Sequence, residues 1–171
     1  MKYYKYLNID YKDVGNQILH HINANDNLIS PGIGSWRVAT NWILKHTDIQ
    51  SIFDWEIDFI GLFVTHTSES SIHIDNDQKP VRINFPILNC ENTITKYYKF
   101  KGNTNFVTQP NGVSYNNIDS DDVEEIDFFN LNSAVLMRVL EPHQVCVNHN
   151  DFPRVSCTVQ FKENLEYLLE S

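Results

Sequence analysis

Cysteine is scarce in this 171-residue chain. Cys90, Cys146 and Cys157 are the only three, and no two of them stand at the close spacing of a zinc knuckle. An odd number of scattered thiols excludes a disulfide-stapled scaffold, and reduced thiols in a cytoplasm are the expectation. Long apolar runs are missing too. FIGLFV is the longest clear one, well short of a membrane span. The leading MKYYKYLNIDYKD lacks the apolar core of a secretion signal, so a cytoplasmic location is expected. Positive charge is in short supply, with 13 Lys and Arg against 22 Asp and Glu and a net charge of −9. No stretch concentrates the basic residues, so neither a nucleic-acid partner held through its phosphates nor docking on an anionic membrane surface is expected. Glycine and proline number 6 each, and no linker, repeat or low-complexity tract divides the chain. The length suits one domain, residues 1–171, large enough to bury a core without staples.

What is there changes character once. Over residues 11–25, Val14, Ile18 and Ile22 recur at i, i+4 and i+8, the stripe of an amphipathic helix. Residues 36–54 read as a second helix with Ser35 as its N-cap. From Trp55 onward the pattern is of strands: WEIDFIGLFVT, SSIHID, PVRINFPIL, TITKYYKF, SAVLMRVL, HQVCVN and RVSCTVQF, several of them separated by turn-forming clusters such as DNDQKP and NHNDFP. Residues 116–132, acidic and irregular, are expected as a surface loop, and KENLEYLLE as a short closing helix. The expected architecture is mainly β with flanking helices: a helical front layer at 1–54, a β-sandwich core at 55–161 and a C-terminal helix at 162–171.

Strand side chains alternate, so residues two apart share a face. In RVSCTVQF, Arg154, Ser156, Thr158 and Gln160 oppose Val155, Cys157, Val159 and Phe161. In PVRINFPIL, Arg82 and Asn84 oppose Val81, Ile83 and Phe85; in SSIHID, His73 and Asp75 oppose Ile72 and Ile74. These polar faces carry His, Asp and Arg, with little of the Lys and Glu that usually face water. That pattern points to a polar interior.

Two histidines and one carboxylate on one face hold a metal while leaving positions open, and on a strand the local signature is His-x-Asp. Three such pairs occur: His46/Asp48, His73/Asp75 and His149/Asp151. The first lies in a stretch read as helix, where residues two apart diverge by roughly 200°. The last sits in a polar turn with no histidine after it. His73 and Asp75 have strand context and two later histidines, of which His143 opens a regular strand after Pro142 and is preferred to His149. Arg154 and Ser156 share one strand face, and Arg82 and Asn84 offer donors on another. An arginine in a polar cavity beside a metal calls for an anionic ligand, because its planar guanidinium matches a carboxylate. Trp36, Trp42, Trp55, Tyr97 and Tyr98 are expected chiefly in the core.

In order and spacing, His73-Ile-Asp75, Arg82-Ile-Asn84-Phe-Pro86, His143-Gln-Val145 and Arg154-Val-Ser156 resemble the Fe(II)/2-oxoglutarate-dependent oxygenases. The likeness is nearest to the aspartyl/asparaginyl β-hydroxylase-like branch and runs from about Ile57 to Phe161. Asn84 stands where that branch usually has histidine. The resemblance implies a double-stranded β-helix, the cupin-like jelly roll, with Fe(II) held by His73, Asp75 and His143. It further implies Arg154 and Ser156 on the distal carboxylate of 2-oxoglutarate, and Arg82 and Asn84 on the strand that contacts this co-substrate. The implied reaction uses O2 to hydroxylate an amino-acid-like small molecule or a protein side chain, releasing succinate and CO2. A metal-binding cupin-like enzyme that does not use 2-oxoglutarate and a non-catalytic jelly-roll module are the alternatives. Oligomeric state is not legible in the sequence.

Overall fold

From Ile57 onward the chain runs as strands, as its period-two alternation requires. The computed structural model describes residues 1–23, 35–38, 40–65, 70–108, 114–119, 121, 123–147 and 152–171, with the backbone alone at 23 and 35–38. The first part holds β1 (Tyr4–Tyr6), α1 (Lys12–Asn23), β2 (Ser35–Val38), α2 (Thr40–His46) and a 3-10 turn at Ile49–Ile52. There follow β3 (Ile57–Thr65), β4 (His73–Asp75), β5 (Val81–Leu88), β6 (Thr93–Phe100), β7 (Thr104–Thr108) and β8 (Ser114–Ile118). Then come β9 (Val123–Asn130), β10 (Val135–Arg138), β11 (His143–Val147), β12 (Arg154–Phe161) and a 3-10 turn at Glu166–Leu169. The fold is mainly β, in two six-stranded antiparallel sheets ordered β1-β10-β5-β12-β3-β2 and β7-β8-β4-β11-β6-β9.

All eight residues of β12 are buried, so its two faces meet different interiors. Val155, Cys157 and Val159 lie in register with Val64, Leu62 and Ile60 of β3, and Cys157 and Val159 also with Phe85 and Ile83 of β5. Val14, Ile18 and Ile22 of α1 and Ile43 of α2 close over this apolar face as one core cluster. The stripe expected in residues 11–25 is thus the face that α1 buries. Each such aliphatic side chain contributes roughly 1.5–3 kcal/mol of burial. The opposite, polar face of β12 turns toward the second sheet. There Arg154 Nε donates to Thr93 Oγ1 on β6 at 2.9 Å, and the Tyr97 hydroxyl donates to the Arg138 carbonyl at 2.9 Å. A smaller apolar cluster of Tyr97, Phe129, Leu131, Val135, Met137 and Val139 packs beside Tyr3 and Tyr4.

The structure corrects three expectations. Residues 36–54 are not one helix, and Ser35 does not cap one. Ser35–Val38 is a strand paired with Gly61–Val64 of β3, and the helix is confined to Thr40–His46. An open edge on β3 offers a row of backbone hydrogen bonds, which outweighs a helical preference worth only tenths of a kcal/mol per residue (~0.5). Residues 116–132 are not an irregular loop, since β8 ends and all of β9 lies within them. The acidic residues of VEEIDFFN mark β9 as a sheet edge, where charge deters pairing with other chains. Its Phe129 is buried, in register with Thr95 of β6. Near the C-terminus, KENLEYLLE contributes only the 3-10 turn at Glu166–Leu169.

Candidate metal centre

β4 and β11 pair antiparallel with His73 and His143 as direct Cα partners. Strand alternation puts Asp75 on the same face as His73. The two imidazole centroids lie 4.4 Å apart. One ligand atom from each of His73, Asp75 and His143 falls within 4.8 Å of the others, a group that could hold a metal ion.

Each imidazole is oriented by its own strand. His73 Nδ1 lies 2.8 Å from the Ser71 carbonyl and His143 Nδ1 lies 2.9 Å from the Glu141 carbonyl. A carbonyl oxygen only accepts, so Nδ1 carries a proton in both rings; the neutral His143 has a lone pair at Nε2, while His73 turns its Nε2 to the Asp75 carboxylate. This is the second-sphere arrangement that sets histidine ligands in metal sites. His73 Nε2 stands 3.5 Å from Asp75 Oδ1. The other carboxylate oxygen, Asp75 Oδ2, meets Arg82 Nη1 at 3.2 Å. Arg82 also donates from Nε and Nη2 to Asp77 Oδ2, at 2.8 and 2.5 Å.

Protonation follows from these contacts. Burial pushes the His143 pKa down to about 4, and the neighbouring His73 adds to that. Burial also works to lower the His73 value, but the hydrogen bond and charge of Asp75 outweigh it and the net direction is upward. For Asp75, burial acts to raise the pKa; the His73 hydrogen bond and the Arg82 guanidinium prevail and hold it well below the usual carboxylate range. At neutral pH the group presents an ionised carboxylate and a neutral His143, a donor set suited to a divalent transition metal.

The expected site residues occupy one inner surface. Arg82 lies beside the His73–Asp75–His143 group, engaged with Asp75 and Asp77, and so orients the Asp75 carboxylate. Asn84 Nδ2 reaches Met137 Sδ at 3.0 Å, while its buried Oδ1 has no hydrogen-bond partner. Thr158, the Cα partner of Asn84, has a buried Oγ1 that is likewise unpartnered. Ser156 and Arg154 follow toward the far end, both buried. Beyond Thr93, Arg154 has the Cys90 sulfur beside it, and among the described residues no carboxylate lies within ion-pair distance. Burial accordingly lowers its pKa. His149 and Asp151 lie outside the described residues. His46 closes α2 and Asp48 pairs instead with Gln17 of α1 at 2.9 Å, so that His-x-Asp pair does not converge.

Sequence reasoning did not find Asp77, Thr93, Tyr115 or Asn117. Asp77 sits in a turn cluster with nothing to mark it as the second partner of Arg82. The last three depend on which strands become neighbours. A separate groove of about 350 Å³, lined by residues including Tyr11, Lys12, Asn89 and Cys90, opens between α1 and the β5–β6 turn, away from the triad. Among the described residues no helix is long and apolar enough to cross a membrane. The sequence matches no family model and no curated protein.

Proposed function

We propose that the protein is an Fe(II)- and 2-oxoglutarate-dependent dioxygenase. It hydroxylates an unactivated C–H of an amino-acid-like molecule or protein side chain and releases succinate and CO2. One observation carries the reading: a two-histidine, one-carboxylate group and a buried guanidinium with no ion-pair partner among the described residues share one polar interior. No described carboxylate balances the charge of Arg154, and a buried cation calls for a counter-charge. His143 and Thr93, the Arg154 contact, are at levels of β6 set by Tyr97 and Thr93. Those levels are four residues apart, about 13 Å of strand. The orphaned Asn84 Oδ1 and Thr158 Oγ1 lie between the ends and await a polar guest.

The strand order supports a jelly-roll reading. Set β1, β2 and the β7–β8 hairpin aside, and the sheets read β10-β5-β12-β3 and β4-β11-β6-β9. Along the chain these eight strands alternate between the sheets except at β6 and β9, which pair within one sheet, an order compatible with a double-stranded β-helix, and the triad sits where β4 and β11 begin.

In this reading His73, Asp75 and His143 would hold the iron, and iron with 2-oxoglutarate and O2 supplies the oxidising chemistry. The chain supplies the rest. Ser71 and Glu141 carbonyls keep both Nε2 atoms aimed at the centre. Arg82 keeps Asp75 ionised and turned toward the histidines. Arg154, backed by Ser156, fixes the distal carboxylate of the co-substrate and so sets the reach of its keto-acid end.

Anaerobic addition of Fe(II) and 2-oxoglutarate tests the proposal. A visible charge-transfer band is expected, and His143→Ala should abolish it. Iron binding without the band would favour the cupin-like enzyme that does not use 2-oxoglutarate. Absence of iron binding would leave a non-catalytic module.

A further inference from the structure

The second sheet continues past the triad strand β4 into the β7–β8 hairpin, and one row of Cα partners crosses it. Asn105 on β7, Asn117 on β8, His73 on β4, His143 on β11 and Tyr97 on β6 are successive neighbours. Partners in a row share a face, so Asn117 flanks His73 on one side as His143 does on the other. Asn117 Oδ1 is buried and has no hydrogen-bond partner. Tyr115, two residues earlier on the same face, is the Cα partner of Asp75, and its ring meets that of His73 edge-on at 5.4 Å.

The triad does not need Asn117. His73 is oriented by Ser71, His143 by Glu141 and Asp75 by Arg82. The orphaned oxygen also lies off the line from Arg154 to the triad, on a strand beyond β4. The hairpin strands, TNFVT and SYNNI, carry no Lys, Arg, His, Asp or Glu. The wall they add beside the centre is therefore uncharged and rich in amides and hydroxyls. The guanidinium nearest the triad, Arg82, already holds Asp75 and Asp77.

We propose that Asn117 is a specificity-determining residue, accepting a hydrogen bond from an N–H or O–H of the prime substrate beside the metal. The inference rests on the metal-centre reading and adds to it the class of substrate: an uncharged donor group, such as an amide, and not a carboxylate. A carboxylate there would set acceptor against acceptor and leave Asn117 Oδ1 unpaired, which is the kind of mismatch that polar sites reject most strongly.

The test uses the full chain loaded with Co(II), whose visible bands report the metal surroundings, in the presence of 2-oxoglutarate. The probes are N-acetyl amino-acid amides and the matching N-acetyl amino acids. The amides should shift the bands at concentrations at least about tenfold lower than the acids. Asn117→Ala should lose that preference while its Co(II) affinity stays within about twofold, since the residue is not a ligand. Asn117→Leu keeps the size of the side chain without an acceptor and should lose the preference as well, which guards against a folding artefact in the alanine variant. The proposal is overturned if acids bind as well as amides, if both variants keep the preference, or if Co(II) binds and no amide shifts its bands. Failure of Co(II) to bind at all would overturn the metal reading itself, and the proposal with it.

Discussion

Protonation decides how the triad behaves at the level of single residues. His143, with its pKa pushed down to about 4, stays neutral through the physiological range, and Asp75 stays ionised. If the triad holds a metal, His73 is the group at which a proton would compete with it, because Asp75 raises its pKa. Below that pKa, Co(II) affinity should fall about tenfold per pH unit, read by titrations at several pH values. A flat profile would remove His73 from the ligand set. In the metal-free protein the signs divide. His73, raised, favours the fold below its unfolded value of 6.5, and that contribution is lost as pH rises through the folded pKa. Asp75 and His143, both lowered, favour the fold above their unfolded values and lose this as pH falls. Arg154 gives a second prediction. Arg154→Met replaces a buried cation that has no counter-charge among the described residues, so the ligand-free protein should unfold at a higher temperature, by an amount worth about 1 kcal/mol or more. Stabilisation by added 2-oxoglutarate should vanish in the same melts; persistent stabilisation would contradict the role of Arg154.

At the scale of elements, α1 shows what a pattern can announce. Val14, Ile18 and Ile22 needed only helical periodicity to be read as one buried face, and that face closes over β5 and β12. Ile18→Ala should cost about 2–5 kcal/mol in urea unfolding, because the site is sealed by strands that relax little. A loss under ~1 kcal/mol would mean that α1 does not share the core. β2 and β9 show the limit. Trp36 and Val38 fit helix or strand locally, and the open edge of β3 decides between them. VEEIDFFN reads as a polar loop until β6 pairs with it, after which its charges lie on an edge and Phe129 lies inside.

For the molecule as a whole, pairing is mostly long-range in sequence. β1 pairs with β10, β3 with β12 and β5 with both β10 and β12. Such non-local closure should make folding slow, on the order of milliseconds to seconds in stopped-flow refolding, and a microsecond phase carrying the full amplitude would contradict it. The same closure assembles the site. The triad joins β4 to β11, Arg154 reaches from one sheet to Thr93 on the other, and Asn117 arrives on the β7–β8 hairpin, which follows β6 in the chain and pairs with β4.

Local chemistry was enough to mark His73, Asp75 and His143 as candidate ligands and to separate the two faces of β12. Residue type and a period of two are properties of neighbours along the chain. The tertiary structure alone decided that Arg82 turns to Asp75 and Asp77, that Arg154 lies buried beyond the reach of any described carboxylate, and that Asn117 stands beside His73. Those facts depend on strand register and on which distant segments become adjacent, and backbone pairing between remote strands leaves no signature in either strand by itself.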